Sequence, residues 1–567
     1  FTHQPWAGDT YRPGMTMGRF GIHFNRMQTW WKQAKDWIAY QSRCQFLLQE
    51  GKVVAEGLFY AGEEAPNDGG NTDGAVKPPP SLPYGYNWDI CSRDALMELK
   101  TDDRGRVVAP GGVAYNLLIL PESESMSLEV LRKIDALLED GAHVVGPVKP
   151  VHTPGLAGYP AVDGELRALA DRVWARPNLH KESPGRVLEK LAIAPDFAWQ
   201  GKKGDALTNT DVAYIHRDYG AQGEGYFVAM PNAESTTVDV SFRQTGRLPE
   251  LWDPETGTRM PAPVWREEDG RTRVRLDFRP SGSMFVMFRR KAGNESVTDV
   301  RVKARKTADP VEKAPSDWER RWPESPMRPA ESPDTADPLP DCALDVDGEG
   351  RTRVLAYRPL EAELTLSSGA TRTVAAEVPP ARPVEGPWTV RFPAGWGAPE
   401  KTEFARLTSW PENLDDGIRY FSGTAVYEKT LPRPEAADGT RLILDLGVVK
   451  DFAEVEVRYP VLWKPPFRLD ITDAAAHGDE LHLRIRVTNR WMNRLIGDDR
   501  LYGEDCQWKN DEFRQSIVDL PQWVKDGKKS PSGRHTFTTW KHWNAGDALF
   551  PSGLLGPVYL RTAVYAQ

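Results

Sequence analysis

The period of the hydrophobic pattern changes along the chain, and this change predicts several domains of different classes. Up to about residue 205, stretches with helical spacing alternate with short, continuous apolar runs. Beyond that point, apolar and polar residues mostly alternate one by one. A chain of 567 residues is also too long for a single hydrophobic core. We therefore predict a multidomain protein that is α/β in its first part and all-β in its second.

Residues 1–106 are predicted to be the C-terminal part of a (β/α)8 barrel. Apolar residues recur with helical spacing from Thr29 to Gly51, and the apolar run "KVVAEGLFY" that follows predicts a buried strand. In such a barrel the active site lies at the carboxyl ends of the strands, here at Ala61 to Glu64. The opening residues carry no helix cap or turn signal, so we expect the chain to begin within a domain.

Four further segments follow the predicted barrel. A strand, a helix from the N-cap Ser127 to Gly141, and the strand "AHVVG" predict a parallel βαβ domain at residues 107–205. Period-two strands predict an antiparallel β-sandwich at 206–290. The proline-rich stretch 291–345 is predicted to be a linker, and the short strands of 346–567 predict a second sandwich, a jelly roll.

Two adjacent carboxylates, Glu63 and Glu64, are the candidate catalytic residues. Glycoside hydrolysis needs two carboxyl groups on either side of the scissile bond, about 5–5.5 Å apart for retention and about 6.5–9.5 Å for inversion. Neighbouring residues on a turn cannot flank a sugar together, so at most one of them is a member of such a pair. The alternative is a solvated acidic loop. Glu56 lies inside the predicted strand, where it could point to the site, but a salt bridge to a neighbouring helix is the favoured interpretation.

Further polar and aromatic residues are candidates for substrate binding. His3, His23 and Arg26 lie in loops where they could bind sugar hydroxyls or a carboxylate, although each of these residues, taken alone, is more often a structural hydrogen-bonding group. The stretch "PYGYNWDICS" brings together Tyr86, Trp88 and Asp89, predicted to lie on a loop. They could form the wall of a sugar subsite, or a packed aromatic turn.

Several functional classes are disfavoured by composition and motifs. The net charge of −9, with no basic stripe, argues against binding to nucleic acid. No apolar run of about 18 residues is present, so no membrane-spanning helix is expected. The absence of an H-E-x-x-H motif or a close His/Cys cluster disfavours zinc, and the EF-hand calcium loop has no match. The 20 tryptophans fit a carbohydrate enzyme without proving one.

An ordered set of stretches across the chain resembles glycoside hydrolase family 106, the α-L-rhamnosidases. The stretches are "THQPW", "GIHFNRMQTWW", "VAEGLFYAGEEAP", "YGYNWDICS", "LPELWDPETG", "WPENLDDGIRYFSGTAVYEKT", "VLWKPPFRLDIT", "VTNRWMNRLIGD" and "SGLLGPVYL". The last four are similar to the family's galactose-binding-like domain. One departure is the segment before "LWKPPF", which lacks the Asn-Gly hairpin turn of similar chains.

The resemblance implies an inverting hydrolase that releases terminal α-L-rhamnose from plant polysaccharides or glycosides with two glutamates of a barrel. It implies a general base in the "GEE" segment, at Glu63 ahead of Glu64, and a general acid upstream of Phe1. It also implies a carbohydrate partner, calcium as a candidate cofactor, and a secreted or periplasmic location. Two alternatives remain open: a non-catalytic carbohydrate-binding protein, and another exo-glycosidase such as a β-galactosidase relative.

Overall fold

A five-stranded parallel sheet forms the centre of the first 200 residues in the computed structural model. Its strands are β1 (Gly57–Tyr60), β2 (Trp88–Cys91), β3 (Leu117–Ile119), β4 (Val144–Val145) and β5 (Leu179–His180). The structure describes residues 10–17, 21–63, 82–201, 212–231, 235–293, 295–304, 339–434, 439–456, 461–476, 478–510 and 515–567.

The order of these strands corrects the predicted barrel. Across the sheet the strands run β5, β4, β3, β1, β2, and every neighbouring pair is parallel. Successive strands are neighbours in a (β/α)8 barrel, whereas here β1 lies between β2 and β3. This is the order of an open, doubly wound sheet, so the prediction of a barrel strand ending at Glu63 is wrong.

The same sheet also crosses the boundary predicted between residues 106 and 107. The backbone of β1 pairs with β2 on one side and with β3 on the other. Strands from both predicted domains therefore complete one sheet, and the segments 1–106 and 107–205 are not separate structural units. The βαβ unit predicted from β3 to β4 is confirmed, since these strands are parallel.

Helices cover both faces of the parallel sheet. Leu58, Leu118 and Val144 share one core with α2, α3 and α4, whereas Leu117, Ile119 and Val145 pack against α5. The helices are α1 (Ala34–Gln49), α2 (Arg93–Glu98), α3 (Leu128–Glu139), α4 (Ala161–Val173) and α5 (Pro184–Lys190). Burial on both faces explains why the inner strands β1, β3 and β4 are continuous apolar runs.

The helix signals of the sequence are confirmed at α1 and α3. The Ser127 hydroxyl accepts a hydrogen bond from the Val130 N–H and caps α3. Gly141 follows the helix with φ of +98°, a left-handed conformation that favours glycine. Gly51 has φ of +67° just beyond the end of α1.

An antiparallel β-sandwich follows, as predicted, but it begins before residue 206. Its strands are β6 (Phe197–Gly201), β7 (Ala213–Asp218), β8 (Glu224–Met230), β9 (Thr236–Phe242), β10 (Arg247–Trp252), β11 (Arg259–Pro261), β12 (Trp265–Glu268), β13 (Arg271–Phe278) and β14 (Gly282–Lys291). One sheet has the order β6, β9, β13, β12, and the other the order β11, β10, β14, β8, β7. The short strand Lys52–Val53 extends the second sheet beside β7.

The core of the sandwich lies between its two sheets, and α1 packs on the outside. Val228, Val240, Val274 and Phe288 are fully buried between the sheets. On the outer face of the second sheet, Phe285 and Met287 contact Cys44 and its neighbours on α1. The helix before β1 and the sandwich after β5 are therefore held together by apolar contacts.

The predicted linker at 291–345 is in part a strand. Val297–Ala304 pairs with Leu360–Leu366, which also pairs with Thr371–Ala376. Cys342–Val346 is a strand as well, paired with Thr352–Ala356. Residues 305–338, which hold most of the prolines, lie outside the described residues.

Two antiparallel sheets form the C-terminal sandwich. The inner residues Trp388, Tyr427, Leu444 and Ile485 are buried between the sheets. One sheet contains Cys342–Val346, Thr352–Ala356, Arg382–Pro383, Thr440–Asp445, Arg468–Asp470 and Tyr559–Tyr565, and the other Trp388–Arg391, Lys401–Phe404, Thr424–Pro432, Phe452–Val455 and Glu480–Thr488. The C-terminal half of the chain also contains helices α6 (Asp416–Arg419), α7 (Met492–Tyr502) and α8 (Gln522–Lys525). Short paired strands complete this half of the chain: Val448–Lys450, Trp508–Asn510, Gln515–Ile517, Phe537–Thr538, Trp540–Lys541 and Gly553–Gly556.

We predict that Leu118→Ala destabilises the parallel sheet together with the segment before residue 106. Leu118 is fully buried in β3, and removing a buried leucine side chain costs about 2–5 kcal/mol. Leu156→Ala is the matched control, because that side chain is 85% exposed. Thermal unfolding, with hydrogen exchange at β1 and β3, measures both effects. Equal unfolding of the two variants would contradict the placement of β3 at the centre of the sheet.

Candidate functional site

Glu63 lies at the carboxyl end of β1, where the order of the parallel strands reverses. In open α/β sheets this edge is where ligands bind. The Oε2 atom of Glu63 accepts a hydrogen bond of 2.7 Å from the backbone N–H of Ser127, at the N-terminus of α3. Its Oε1 atom lies 3.4 Å from Nε of Arg93, and the side chain is only 12% exposed. A carboxylate is well placed at a helix N-terminus.

Arg93, the first residue of α2, contacts three carboxylates. Its Nε faces Glu63, and its Nη2 pairs with Glu129 on α3. Asp94 lies 3.3 Å from its Nη1. The guanidinium therefore lies between Glu63 and Glu129, in the place where a glycosidase needs the sugar. This pair of carboxylates is not arranged to flank a glycosidic bond.

The contacts of Glu63 favour a positioning role over general-base catalysis. A general base needs an oxygen lone pair directed at the reacting water, at about 2.6–3.2 Å. Both oxygens of Glu63 already face groups of α2 and α3. Beneath them, burial and then the nearby charge of Glu63 raise the pKa of Tyr60, which keeps this phenol neutral. The described geometry holds the end of β1 against α2 and α3.

Tyr86, Trp88 and Asp89 are engaged within the protein. Trp88 and Asp89 belong to β2 itself, which corrects the prediction of a loop. The Tyr115 hydroxyl donates to Asp89 Oδ2 over 2.8 Å, and the Tyr86 hydroxyl donates to the Ile193 carbonyl over 2.8 Å. These contacts match the alternative of a packed aromatic segment. Their role in sugar binding stays a prediction.

His23 and Arg26 lie in a loop that packs against the C-terminal sandwich. His23 is buried and Arg26 is exposed. The loop is anchored by Trp491, whose Nε1 donates to the Met27 carbonyl over 2.9 Å, and by the Thr29 hydroxyl, which donates to the Asn489 carbonyl. The partners of the Glu63 oxygens, Arg93 and Ser127, do not belong to this loop. His3 and Glu64 lie outside the described residues.

A buried histidine lies between two carboxylates in the first sandwich. His216 on β7 is 2.9 Å from Asp196 through Nδ1 and 2.9 Å from Glu224 through Nε2. The Tyr226 ring stacks on the imidazole with centroids 3.9 Å apart, and its hydroxyl donates to Asp196. No motif in the sequence indicates this cluster. Its only local signal is an inward-facing histidine in the alternating strand β7.

Glu56 links this cluster to the parallel sheet. Its Oε1 is 2.6 Å from Nη2 of Arg243, which is itself 3.5 Å from Asp196. Its Oε2 accepts a hydrogen bond from the Asn87 N–H. The predicted ion pair of Glu56 is therefore confirmed, although the partner comes from the sandwich and not from a neighbouring helix.

The charges of the cluster support one another. Burial alone would lower the pKa of His216, but the hydrogen bonds to Asp196 and Glu224 outweigh it and raise that pKa. Burial would likewise raise the pKa of Asp196, but its hydrogen bond and proximity to His216 hold it below its usual range. The hydrogen bond from His216 lowers the pKa of Glu224. The three shifts together favour an imidazolium between two carboxylates.

We predict that His216 makes the stability of the protein fall above neutral pH. Because its pKa is raised on folding, its contribution is complete below the ordinary histidine pKa of about 6.5. This contribution is lost as the pH rises through the raised value. At pH 6 the His216→Asn variant should be less stable than the wild type. Its free energy of unfolding should also lack the part of the pH dependence that comes from His216. Urea unfolding from pH 6 to 9 tests it, with His152→Asn as the exposed control. A slope in His216→Asn as steep as in the wild type would contradict the assignment.

Neither a metal cluster nor a spanning helix is found in the part of the chain that the structure describes. No group of three or more His, Cys, Asp or Glu side chains among these residues is arranged to hold a metal ion. No described helix is long and apolar enough to cross a membrane. The described geometry therefore assigns no residue to calcium.

Comparison with known proteins connects this fold to carbohydrate hydrolysis. Residues 1–264 match the model of glycoside hydrolase family 106, described as alpha-L-rhamnosidase. The rhamnosidase from Novosphingobium sp. PP1Y superimposes on 98% of the chain with a TM-score of 0.70 and 28% identity, and the match covers 43% of that protein. A putative beta-glucuronidase from Formosa agariphila is 28% identical over an alignment of 716 residues, and this alignment spans the whole chain and 60% of the relative.

Proposed function

We propose that the protein is a glycosidase that releases terminal α-L-rhamnose from plant polysaccharides or glycosides, because residues 1–264 match the model of glycoside hydrolase family 106. The observation that carries the proposal is the superposition of 98% of the chain on a rhamnosidase, at a TM-score of 0.70. The chain spans 43% of that rhamnosidase and 60% of the curated relative. The activity is therefore proposed for the whole protein to which this chain corresponds.

The proposed reaction is hydrolysis with inversion at the anomeric carbon. One carboxylate takes a proton from a water that attacks this carbon, and a protonated carboxyl on the other face protonates the leaving oxygen. We propose that Glu63 is not this base but a positioning residue. Its contacts with Arg93 and Ser127 support that role, since they fix the end of β1. We further propose a secreted or periplasmic location, where polymeric glycans are met.

We predict that the whole protein hydrolyses 4-nitrophenyl α-L-rhamnoside. We expect no hydrolysis of the matching β-D-glucuronide or β-D-galactoside. The glucuronide is included because of the name of the curated relative, and the galactoside because of the alternative exo-glycosidase. Proton NMR of the first product should show the inverted anomer. Cleavage of the glucuronide alone would overturn the proposal. Binding of rhamnosides without any hydrolysis by the whole protein would favour the non-catalytic alternative.

We predict that Glu63→Gln lowers the unfolding temperature and leaves kcat within about threefold of the wild type. The amide cannot replace the charge that faces Arg93 and the N-terminus of α3. Glu122→Gln is the control, because Glu122 is exposed near the same edge of the sheet. A fall in kcat of about 10²–10⁴-fold at unchanged unfolding temperature would instead identify Glu63 as the base. Glu64→Gln, measured in parallel, tests the adjacent residue in the same way.

A further inference from the structure

Two arginines share one tryptophan ring at the edge of the first sandwich. The guanidinium carbon of Arg259 lies 4.0 Å from the ring centroid of Trp252, and that of Arg289 lies 5.1 Å from it. Both arginines are exposed, and the tryptophan is partly exposed. An ordinary surface cation–π contact holds one cation, whereas this ring holds two.

The fold builds this cluster from three neighbouring strands. Trp252 ends β10 and is paired across the ladder with Arg259 on the edge strand β11. Arg289 is the extra residue of a β-bulge in β14, because Leu248 pairs with Arg290 and Pro249 with Phe288. A bulge redirects a side chain relative to regular pairing. The cluster is therefore set by backbone pairing on a rigid sheet.

The nearby carboxylates are already engaged with other groups. Glu250 pairs with Arg290 and accepts a hydrogen bond from Nε1 of Trp252. Asp253 accepts hydrogen bonds inside its own turn, from the Glu255 N–H and the Thr256 hydroxyl. Glu255 pairs with Lys464.

Two positive charges at the cluster are therefore not neutralised. Across the described segments of the chain, no carboxylate lies within ion-pair distance of Arg259 or Arg289. This local excess occurs on a chain whose formal net charge is −9. An anion near Trp252 would neutralise the excess, and two planar guanidinium groups offer donors in the geometry that carboxylate and sulfate oxygens accept.

We propose that Trp252, Arg259 and Arg289 form an ancillary site for an acidic sugar, one that carries a carboxylate or a sulfate group. The guanidinium groups bind the anion, and the Trp252 ring on which both of them lie holds them in place. The site holds an acidic glycan while another part of the protein acts on it. The inference goes beyond the proposed function, and rests on it only in taking the ligand to be a glycan.

The test compares the binding of three polymers to the full chain by affinity electrophoresis and calorimetry. Polygalacturonate supplies carboxylates, dextran sulfate supplies sulfates, and unmodified dextran is neutral. We expect the wild type to bind at least one acidic polymer and not dextran, and R259A/R289A to bind about tenfold more weakly or worse. The control R167A/R172A removes two exposed arginines of α4, far along the chain from the cluster.

Each outcome decides the proposal. Binding of the acidic polymers by R259A/R289A as tight as by the wild type would overturn the proposal. A loss of binding in R167A/R172A equal to that in R259A/R289A would also overturn it, because it would show an effect of total charge only. Binding of dextran as tightly as of the acidic polymers would also overturn it. Hydrolysis of 4-nitrophenyl α-L-rhamnoside, which carries no anionic group on the sugar, should be unchanged in R259A/R289A. Failure of the proposed rhamnosidase activity is thus seen separately from failure of this site.

Discussion

Charge buried at the junction between the parallel sheet and the first sandwich is the constraint on which the rest of the structure depends. Asp196 and His216 are almost completely buried, and an ion left unpaired at such a site would cost several kcal/mol. Arg243 satisfies both Asp196 and Glu56, and Glu56 directly precedes β1. The same set of ion pairs that holds the two domains together therefore also fixes where β1 begins. Since β1 has only four residues, the same ion pairs also fix the position of Glu63, which follows the other end of the strand.

Local chemistry in the sequence predicted the elements well. The cap at Ser127, the glycine after α3 and the spacing of apolar residues act over a few residues, so they survive in any tertiary context. The alternating strands of the first sandwich were recognised for the same reason, and the ion pair of Glu56 followed from the cost of an isolated charge in a strand. The part of the linker that proved to be Val297–Ala304 was missed because its partner strand lies about 60 residues later in the chain.

The candidate site could not be predicted in the same way, because strand order is a property of distant pairings. A strand buried on both faces has the same apolar pattern in a barrel and in an open sheet. In this chain, the insertion of β1 between β2 and β3 distinguishes the open sheet from a barrel. No residue within β1 indicates this strand order. The interpretation of Glu63 depended on that choice. Its partners Arg93 and Ser127 lie 30 and 64 residues further along the chain, so the sequence around Glu63 gives no sign of these contacts.

The short strand Lys52–Val53 has a consequence for motion within the protein. It belongs to the second sheet of the sandwich, and only three residues separate it from β1 in the parallel sheet. A swivel between these two sheets would change the backbone angles of the three connecting residues, and it would break the hydrogen bond from the Val54 N–H to the His216 carbonyl. Domain closure in enzymes relies on hinge residues that absorb such changes. Val54 and, through its ion pair with Arg243, Glu56 are both tied to the sandwich, which opposes the use of this connection as a hinge.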